Sequence, residues 1–449
     1  MDKQIEQLNV LDAAERQTAL QTLVAALRAG EIEVASQGEQ FNMHSHTFFS
    51  YNGYGLSPSG LAWLARASGW EAFAKVDFDV LDGIDETLCA ADRVGIRAAA
   101  GVETRLYLAE MADWEFNSPG EPGVLYFVGM GFGSEKVPHE ARTAIGEMRE
   151  RASVRNEGMV QRLNAYLDPV AIDYRRDVLP LTPSGNATER HMLVAYDVAA
   201  RQRFSNRQAL LAFWAQKLSM TQDAVDAFMG DEPYPHDAVR SRLMKRGGVG
   251  YVQPSADSFP ALADVNAAMI ACGAVTSYAF LNGESEGEQH LEELFELLMA
   301  QGMSSLTVIP DRNWNYDDSA VRACKVAKLD ACMALARRLD LPVIVGTEMN
   351  KPGQRQMDDF QAEPLKPYWG VFQDGMRFVY GHTFMLRTQD KGFHSAWAQS
   401  ALHERAERNA FYTRVGELAT PGVELLARAQ AWDADREPDW YLAELAKQS

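Results

Sequence analysis

The sequence predicts an α/β protein built on a parallel β-sheet. From residue 41 onward, short apolar stretches typical of strands alternate with longer amphipathic stretches typical of helices. The alternation stops over residues 186–246, which show only helical patterns, and resumes after residue 250. Repeated strand–helix units indicate parallel strands, because each helix can carry the chain back to the same end of the sheet. The pattern fits either an α/β barrel or an open doubly wound sheet.

The first part of the chain contains a helical leader followed by three strands with two helices between them. In residues 1–38, leucines recur at helical spacing and Gly30 ends the pattern. Ser57 and Pro58 are typical of a helix start, and Gly95 is typical of a helix end. The predicted elements of this part are, in order, strand 41–46, helix 57–68, strand 71–79, helix 83–94 and strand 96–108.

The remaining elements complete the predicted organisation of the chain. Strand 124–129 precedes a long polar helix over residues 138–168. After residue 250 the predicted elements are helix 259–272, strand 273–280, helix 288–300, strand 305–310, helix 319–338, strand 341–347 and a group of helices from 393 to 445. We expect four parts: a leader over 1–38, an α/β unit over 39–185 and 247–360, a helical insertion over 186–246, and a helical C-terminal extension over 361–449.

The composition is that of a globular protein, since 47% of the 449 residues are hydrophobic and 23% are charged. The formal net charge of −19 argues against an extended nucleic-acid surface and leaves a small anionic or polar molecule as the expected partner. No apolar run reaches the roughly 18 residues needed to span a bilayer, and the N-terminal stretch lacks signal-peptide features. The 4 cysteines form no Cys-x-x-Cys pair, as expected of free thiols in a reducing compartment. We therefore expect a cytoplasmic protein without a membrane partner; nothing in the sequence indicates its oligomeric state.

Two histidines stand at the end of the first predicted strand. His44 and His46 are separated by Ser45, and strand side chains repeat every two residues, so both imidazoles face the same side. This arrangement suits a metal ion. A His-x-His pair alone is more often structural, so the interpretation depends on carboxylates at later strand ends.

Acidic side chains do follow at later strand ends, where α/β enzymes gather their functional groups. In chain order, the polar groups at the strand ends are His44, His46, Asp77, Asp79, Glu103 and Glu348. Glu103 alone could form an ion pair with a nearby arginine, and Glu348 alone is typical of a surface acid. Together, two histidines and two carboxylates are a suitable ligand set for zinc, manganese or iron.

Four segments at these strand ends resemble the motifs of a known family. They are Met43-His44-Ser45-His46-Thr47, Ala74-Lys75-Val76-Asp77-Phe78-Asp79, Gly101-Val102-Glu103 and Val345-Gly346-Thr347-Glu348-Met349-Asn350. In order and spacing the chain resembles the polymerase and histidinol phosphatase (PHP) superfamily, nearest the nucleoside 3',5'-bisphosphate phosphatase branch. The resemblance implies a distorted (β/α)7 TIM-like barrel that carries up to three metals, with a helical insertion and a helical C-terminal extension in this chain.

The departures from the family pattern are informative. Family histidines are replaced by Phe78, Asn350, Tyr126 and either Ser277 or Tyr278. Phenylalanine cannot bind a metal, and the phenol and amide are weak ligands.

The ligands of one family metal are retained as His44, His46, Glu103 and Glu348. The resemblance therefore implies one divalent transition metal (Zn, Mn or Fe), which would lower the pKa of a bound water.

The resemblance and the loop composition also suggest catalytic and substrate-binding residues. Asp77 could orient a ligand histidine or act as a general base. Arg190 and His191 lie where the family presents a basic pair to the substrate phosphate, although a helix start in an ordinary insertion explains them equally well. The candidates for substrate binding are Arg312, Asn313, Asn350 and Lys351.

We therefore expect a metal-dependent hydrolase of PHP type, a phosphoesterase that acts through water bound to one metal. The alternative is a catalytically impaired relative that binds a metal and a ligand without turnover, which Phe78 and Asn350 favour. An amidohydrolase barrel also begins with His-x-His, but the later histidines and the catalytic aspartate of that family are not found in its order.

Overall fold

The computed structural model describes residues 1–447, and at its centre lies one seven-stranded sheet. The strands pair with one another in chain order. They are β1 (Phe41–Ser45), β2 (Ala72–Phe78), β3 (Arg97–Tyr107), β4 (Val124–Met130), β5 (Val275–Phe280), β6 (Ser305–Val308) and β7 (Val343–Val345).

The sheet curls into a nearly closed barrel, because its first and last strands meet. Ser45 and Glu348 form a parallel bridge. The Glu348 N–H donates to the His44 carbonyl, and the His46 N–H donates to the Glu348 carbonyl, each at 2.7 Å. Gly346 permits this approach, since a Cβ there would lie 2.7 Å from the Cβ of His44 and would overlap the backbone nitrogen of that residue. Of the two predicted arrangements, the structure has the barrel-like one.

The prediction of a parallel sheet is wrong for one strand. β4 runs antiparallel to both β3 and β5, whereas every other neighbouring pair is parallel. The connection from β3 to β4 is a loop with one short 3-10 turn, Ala109–Met111, instead of a crossover helix. Without a crossover the chain turns back along β3 and forms an antiparallel pair.

The helices surround this sheet. In chain order they are α1 (Asp2–Gln7), α2 (Ala13–Arg28), α3 (Pro58–Ala67), α4 (Ile84–Val94), α5 (Arg142–Leu167), α6 (Glu189–Arg203), α7 (Arg207–Leu218), α8 (Gln222–Asp226), α9 (Asp237–Leu243), α10 (Leu262–Ala271), α11 (Glu286–Gln289), α12 (Leu291–Ala300), α13 (Asp311–Trp314), α14 (Ser319–Arg338), α15 (Trp369–Gln389), α16 (Ala396–Ala401), α17 (Arg405–Leu418), α18 (Val423–Gln430) and α19 (Pro438–Ala446). The predicted ends of α3 and α4 are confirmed: the Ser57 hydroxyl accepts from the Gly60 N–H, and Gly95 ends α4 in the left-handed conformation. No helix within residues 1–447 is long and apolar enough to cross a membrane.

The long helix α15 was not predicted, although it is one of the most buried elements. Residues 378–385 are all buried, so this part of the helix has no exposed polar face by which its sequence pattern could be recognised. It packs directly on β7, where a Cβ at Gly375 would overlap the Val343 carbonyl. The region after residue 361 therefore contributes a helix to the wall of the barrel.

Two further hydrophobic clusters lie outside the main core. The leader packs against the barrel through Leu8, Leu20 and Leu23, which belong to one cluster with Leu61 of α3 and Phe73 of β2. The second cluster spans residues 160–244 and joins the end of α5 to α6, α7 and α9. This second cluster places a helical layer beside the open end of the barrel, where the candidate site lies.

Candidate functional site

Three of the predicted metal ligands converge at the end of the barrel. His44 and His46 come from the end of β1, and Glu103 comes from β3. One ligand atom of each residue lies within 4.8 Å of the others. The Glu103 Oε2 atom is 3.4 Å from His44 Nε2 and 3.3 Å from His46 Nε2. All three residues are buried.

The converging atoms have no other partner within residues 1–447. Nε2 of His44, Nε2 of His46 and Oε2 of Glu103 are all buried there without a hydrogen bond. Buried polar atoms are almost always paired, so unpaired atoms that point at one another fit a cation between them. Burial alone would raise the pKa of Glu103, but the two adjacent imidazoles outweigh burial and lower it. An ionised carboxylate with two imidazoles is a donor set suited to zinc, manganese or iron.

Glu348 lies beside this group but faces other partners. Its Oε1 atom forms an ion pair with Arg312 at 2.6 Å, and its Oε2 atom accepts from the Asn350 amide at 2.9 Å. The backbone of Glu348 is left-handed, with φ of 68°, a conformation that non-glycine residues rarely adopt. The structure thus brings three of the four predicted ligands together, and the role of Glu348 as the fourth stays a prediction.

Asp77 lies on β2, the strand next to the one that carries the two ligand histidines, and it is fully buried. Its carboxylate accepts from the Thr47 backbone N–H at 2.7 Å and from the Ser50 hydroxyl at 2.7 Å. The Ser50 oxygen is in turn 2.9 Å from Nδ1 of His46. Asp77 therefore reaches a ligand histidine through one hydroxyl, and it does not line the cavity described below.

The other predicted residues, the catalytic candidates Arg190 and His191 and the four substrate-binding candidates, fall into two groups. Arg190, Arg312 and Asn350 line a cavity that opens from the metal ligands. The other three residues have structural partners outside it. Nδ1 of His191 accepts from the Thr188 N–H at the start of α6, the Asn313 amide donates to the Ile309 carbonyl, and Lys351 forms an ion pair with Asp237.

Burial lowers the pKa of His191 to about 4, so this imidazole is neutral near neutral pH. For its neighbour Arg190, the guanidinium pairs with Asp237 at 3.0 Å and lies over the Tyr51 ring. Of the predicted basic pair, only Arg190 reaches the cavity. Their catalytic roles stay predictions.

The cavity is markedly basic although the protein is acidic. It measures about 660 Å³ and lies between the barrel and the second hydrophobic cluster. Its lining includes the eight cationic residues Arg105, Arg155, Arg162, Arg190, Arg240, Lys245, Arg246 and Arg312. The five acidic residues in its lining are Asp79, Glu103, Glu121, Glu189 and Glu348. A cavity with this excess of cations favours an anionic ligand, even where the whole chain carries a charge of −19.

Two arginines in the cavity wall share one aromatic ring. The guanidinium carbons of Arg105 and Arg155 lie 4.5 and 4.2 Å from the centre of the Phe259 ring. Arg105 also pairs with Glu121 at 2.9 Å, whereas Arg155 donates to the Ser258 carbonyl at 2.8 Å and forms no ion pair with any described residue. Burial and the charge of Arg105 lower the pKa of Arg155 to about 10, so it remains a cation near neutral pH. Arg155 is therefore a cation of the cavity wall whose charge no acidic group within residues 1–447 pairs with, and it can bind an anionic ligand.

Neither of these two arginines was predicted as a site residue. Arg105 follows Glu103 by two positions on the same strand, so the two-residue strand period could have placed it beside the metal ligands. Arg155 comes from the long polar helix α5, whose sequence does not show which face meets the barrel. Asp79, noted only as a strand-end acid, also lines the cavity and accepts from the Thr104 hydroxyl, and burial raises its pKa.

Comparison with known proteins finds similarity only at the level of structure. No protein-family model and no curated protein matches the sequence. One similar solved structure is an amidohydrolase from Chromobacterium violaceum with bound sulfate and no metal: 17% identity, TM-score 0.47, covering 75% of this chain and 96% of that one. Another, from Bifidobacterium adolescentis, is provisionally described as a metal-dependent phosphoesterase: 19% identity, TM-score 0.44, covering 76% of this chain and 98% of that one. At these values the likeness carries no information about individual residues.

Proposed function

We propose that the protein is a metal-dependent hydrolase of PHP type, built on a distorted (β/α)7 TIM-like barrel, that cleaves a phosphate ester of a small anionic molecule. The observation that carries this proposal is the convergence of unpaired His44, His46 and Glu103 atoms at the floor of a basic cavity. Neither the cluster of metal ligands nor the basic cavity would by itself support a hydrolase. A structural metal needs no cavity, and a basic cavity needs no histidine cluster.

The three residues would hold one divalent transition metal. Three protein ligands are typical of catalytic rather than structural zinc sites, because a position stays free for water or substrate. Such an ion would polarise a substrate oxygen and lower the pKa of water towards neutrality.

Around the metal ligands, protein side chains would bind and orient the substrate. Arg312, held by Glu348, lies on the metal side of the cavity and would bind oxygens of the scissile phosphate. Arg105 and Arg155, which both pack on the buried Phe259 ring, would neutralise charge farther along the same substrate. A cavity of about 660 Å³ with cations in several parts of its wall fits a phosphorylated molecule with an organic body better than it fits inorganic phosphate.

The first test is the metal content of the purified protein and of two variants. We expect about one bound metal in the wild type and little in His44→Ala or Glu103→Gln, because each loses one of three ligands. His139→Ala, an exposed histidine outside the site, serves as the matched control. Equal metal content in all four proteins would refute the site.

The second test is turnover. A panel of phosphomonoesters, nucleotide bisphosphates and phosphodiesters, assayed with Zn²⁺, Mn²⁺ and Fe²⁺, should contain at least one compound that the wild type hydrolyses and Glu103→Gln does not. Hydrolysis that survives in Glu103→Gln would contradict the proposed metal chemistry.

One observation favours the alternative of a binding protein without turnover. The Phe78 ring lies 4.3 Å from the ring of His46, centre to centre, and fills a place where a further polar group would otherwise meet the metal ligands. A protein that holds one metal and binds phosphorylated compounds, yet hydrolyses none of the panel, would support this alternative.

A further inference from the structure

A continuous chain of buried polar groups runs from β2 to the ligand histidine His46. The Ser50 hydroxyl lies between the Asp77 Oδ1 atom, at 2.7 Å, and the His46 Nδ1 atom, at 2.9 Å. Ser50, Asp77 and His46 are all fully buried, so solvent does not compete for any of these contacts.

The direction of each hydrogen bond follows from the donors around Asp77. The Thr47 backbone N–H, the Thr47 hydroxyl and the Ser50 hydroxyl all point at this carboxylate, at 2.7, 2.6 and 2.7 Å. Because an ionised carboxylate only accepts, the Ser50 hydrogen is committed to Asp77. The Ser50 oxygen then has only lone pairs to offer His46, so the Nδ1 atom must carry the imidazole hydrogen.

Lys75 supplies the countercharge for this arrangement. Its ammonium group lies 3.4 Å from the Asp77 Oδ2 atom, and both side chains are fully buried. A buried carboxylate without a cation would be costly to keep ionised. Lys75 and Asp77 stand two positions apart on β2 and so project from the same face of the strand.

We propose that Ser50 is a positioning residue for His46. Because its hydroxyl donates to Asp77, its oxygen can only accept from Nδ1 of His46, and this keeps a hydrogen on Nδ1 and leaves Nε2 as the atom that can bind a metal. The Nε2 atom is the one that faces Glu103 at 3.3 Å. Metal-binding histidines commonly need such a partner on the second nitrogen, and its loss typically lowers metal affinity by about 10- to 100-fold. As far as it concerns metal binding, this inference rests on the proposed function. The hydrogen on Nδ1 of His46, which the Ser50 oxygen accepts, does not depend on it.

The test compares Ser50→Ala with Ser304→Ala. Ser304 is also a buried serine whose hydroxyl contacts a histidine, His394 at 3.2 Å, but it lies outside the metal cluster. Both variants therefore lose a buried hydroxyl beside an imidazole, and circular dichroism reports whether each one folds. Nitrogen-15 NMR of histidine-labelled, metal-free protein reads the tautomer of His46, and competition with a chelator reads the affinity for Zn²⁺.

We expect wild type and Ser304→Ala to show His46 protonated at Nδ1 and to bind Zn²⁺ equally. In Ser50→Ala the His46 signal should shift towards a tautomer mixture, and Zn²⁺ affinity should fall about 10-fold or more. If Ser50→Ala keeps the wild-type tautomer, the inference is overturned. If the wild type binds no Zn²⁺ but Ser50→Ala alters the tautomer, the proposed function fails and the positioning role of Ser50 stands.

Discussion

Closure of the barrel depends on the absence of a side chain at Gly346, and this gives a prediction that links stability to the metal site. In Gly346→Ala, the new Cβ would lie 2.7 Å from the Cβ of His44, where ordinary contact begins at 3.4 Å. It would also overlap the backbone nitrogen of His44 and Oδ1 of Asn42. Since backbone cannot rotate away as a flexible side chain can, β1 and β7 must separate by roughly an ångström.

This separation would strain the packing between β1 and β7 and weaken the hydrogen bonds that close the barrel. Overpacking of a tight interior costs about 1–3 kcal/mol. The two hydrogen bonds that join Glu348 to His44 and His46 would stretch, each worth a net of about 1 kcal/mol. We therefore expect the free energy of unfolding to fall by about 3–5 kcal/mol. His44 would move with β1, and since metal–ligand distances tolerate only about 0.2 Å, metal affinity should fall as well.

Urea unfolding and Zn²⁺ competition with a chelator, both at a temperature where the variant is folded, measure the two effects. Gly370→Ala is the matched control. At this exposed position in α15, a Cβ would have no neighbour within 4 Å among residues 1–447 apart from the adjoining backbone of the helix itself. There alanine should raise stability by about 0.5–1 kcal/mol through helix propensity. Wild-type stability and wild-type Zn²⁺ affinity in Gly346→Ala would refute the close approach of β7 to His44.

Three further predictions concern the cavity, the C-terminal helices and pH. Arg155→Met should raise KM for the substrate about 10- to 100-fold through loss of a charged hydrogen-bond donor, whereas the exposed Arg175→Met should not; equal KM values would remove Arg155 from substrate binding. In calorimetry, Gly381→Ala should lower stability by about 1–3 kcal/mol, because its Cβ would overlap the Tyr412 carbonyl and push α15 away from α17; an unchanged Tm would contradict this packing. Burial lowers the pKa of His382 from 6.5 to about 3, so the unfolded chain binds a proton below pH 6.5 that the folded chain does not, and stability should fall as the pH drops from 6.5 towards 3. His382 should contribute about 1.4 kcal/mol per pH unit to the fall in the free energy of unfolding. Urea unfolding of His382→Gln between about pH 6.5 and 4.5 should therefore show about one proton fewer taken up on unfolding than in the wild type.

Much of the fold could be predicted because its signals are local. The capping hydroxyl of Ser57 and the left-handed Gly95 act within a few residues, and the structure has both where the sequence indicates them. The strands β1, β2 and β3 likewise follow from runs of apolar residues. The antiparallel direction of β4 was missed because it depends on the path of a loop, and α15 was missed because it is buried on all sides over residues 378–385.

The sequence likewise predicted which residues come to the candidate site, but not all of their contacts there. His44 and His46 were found from their position at the end of β1, and Glu103 was also expected at a strand end; the structure places Glu103 inside β3 but still brings the three residues together. Glu348 was found in the same way, but its carboxylate faces Arg312 and Asn350. Position at a strand end places a residue at the site, whereas its partner there depends on neighbours that are distant in sequence.

The sequence by itself determined which residues could bind a metal and roughly where the strands and helices begin and end. These properties come from residue chemistry and from spacing within one element. Only the tertiary structure decided that Ser50 joins Asp77 to His46, that Arg105 and Arg155 share the ring of Phe259, and that an acidic protein contains a basic cavity. Each of these contacts joins separate elements, and packing of the whole chain alone fixes which side chains are buried together and must satisfy one another's charges and hydrogen bonds.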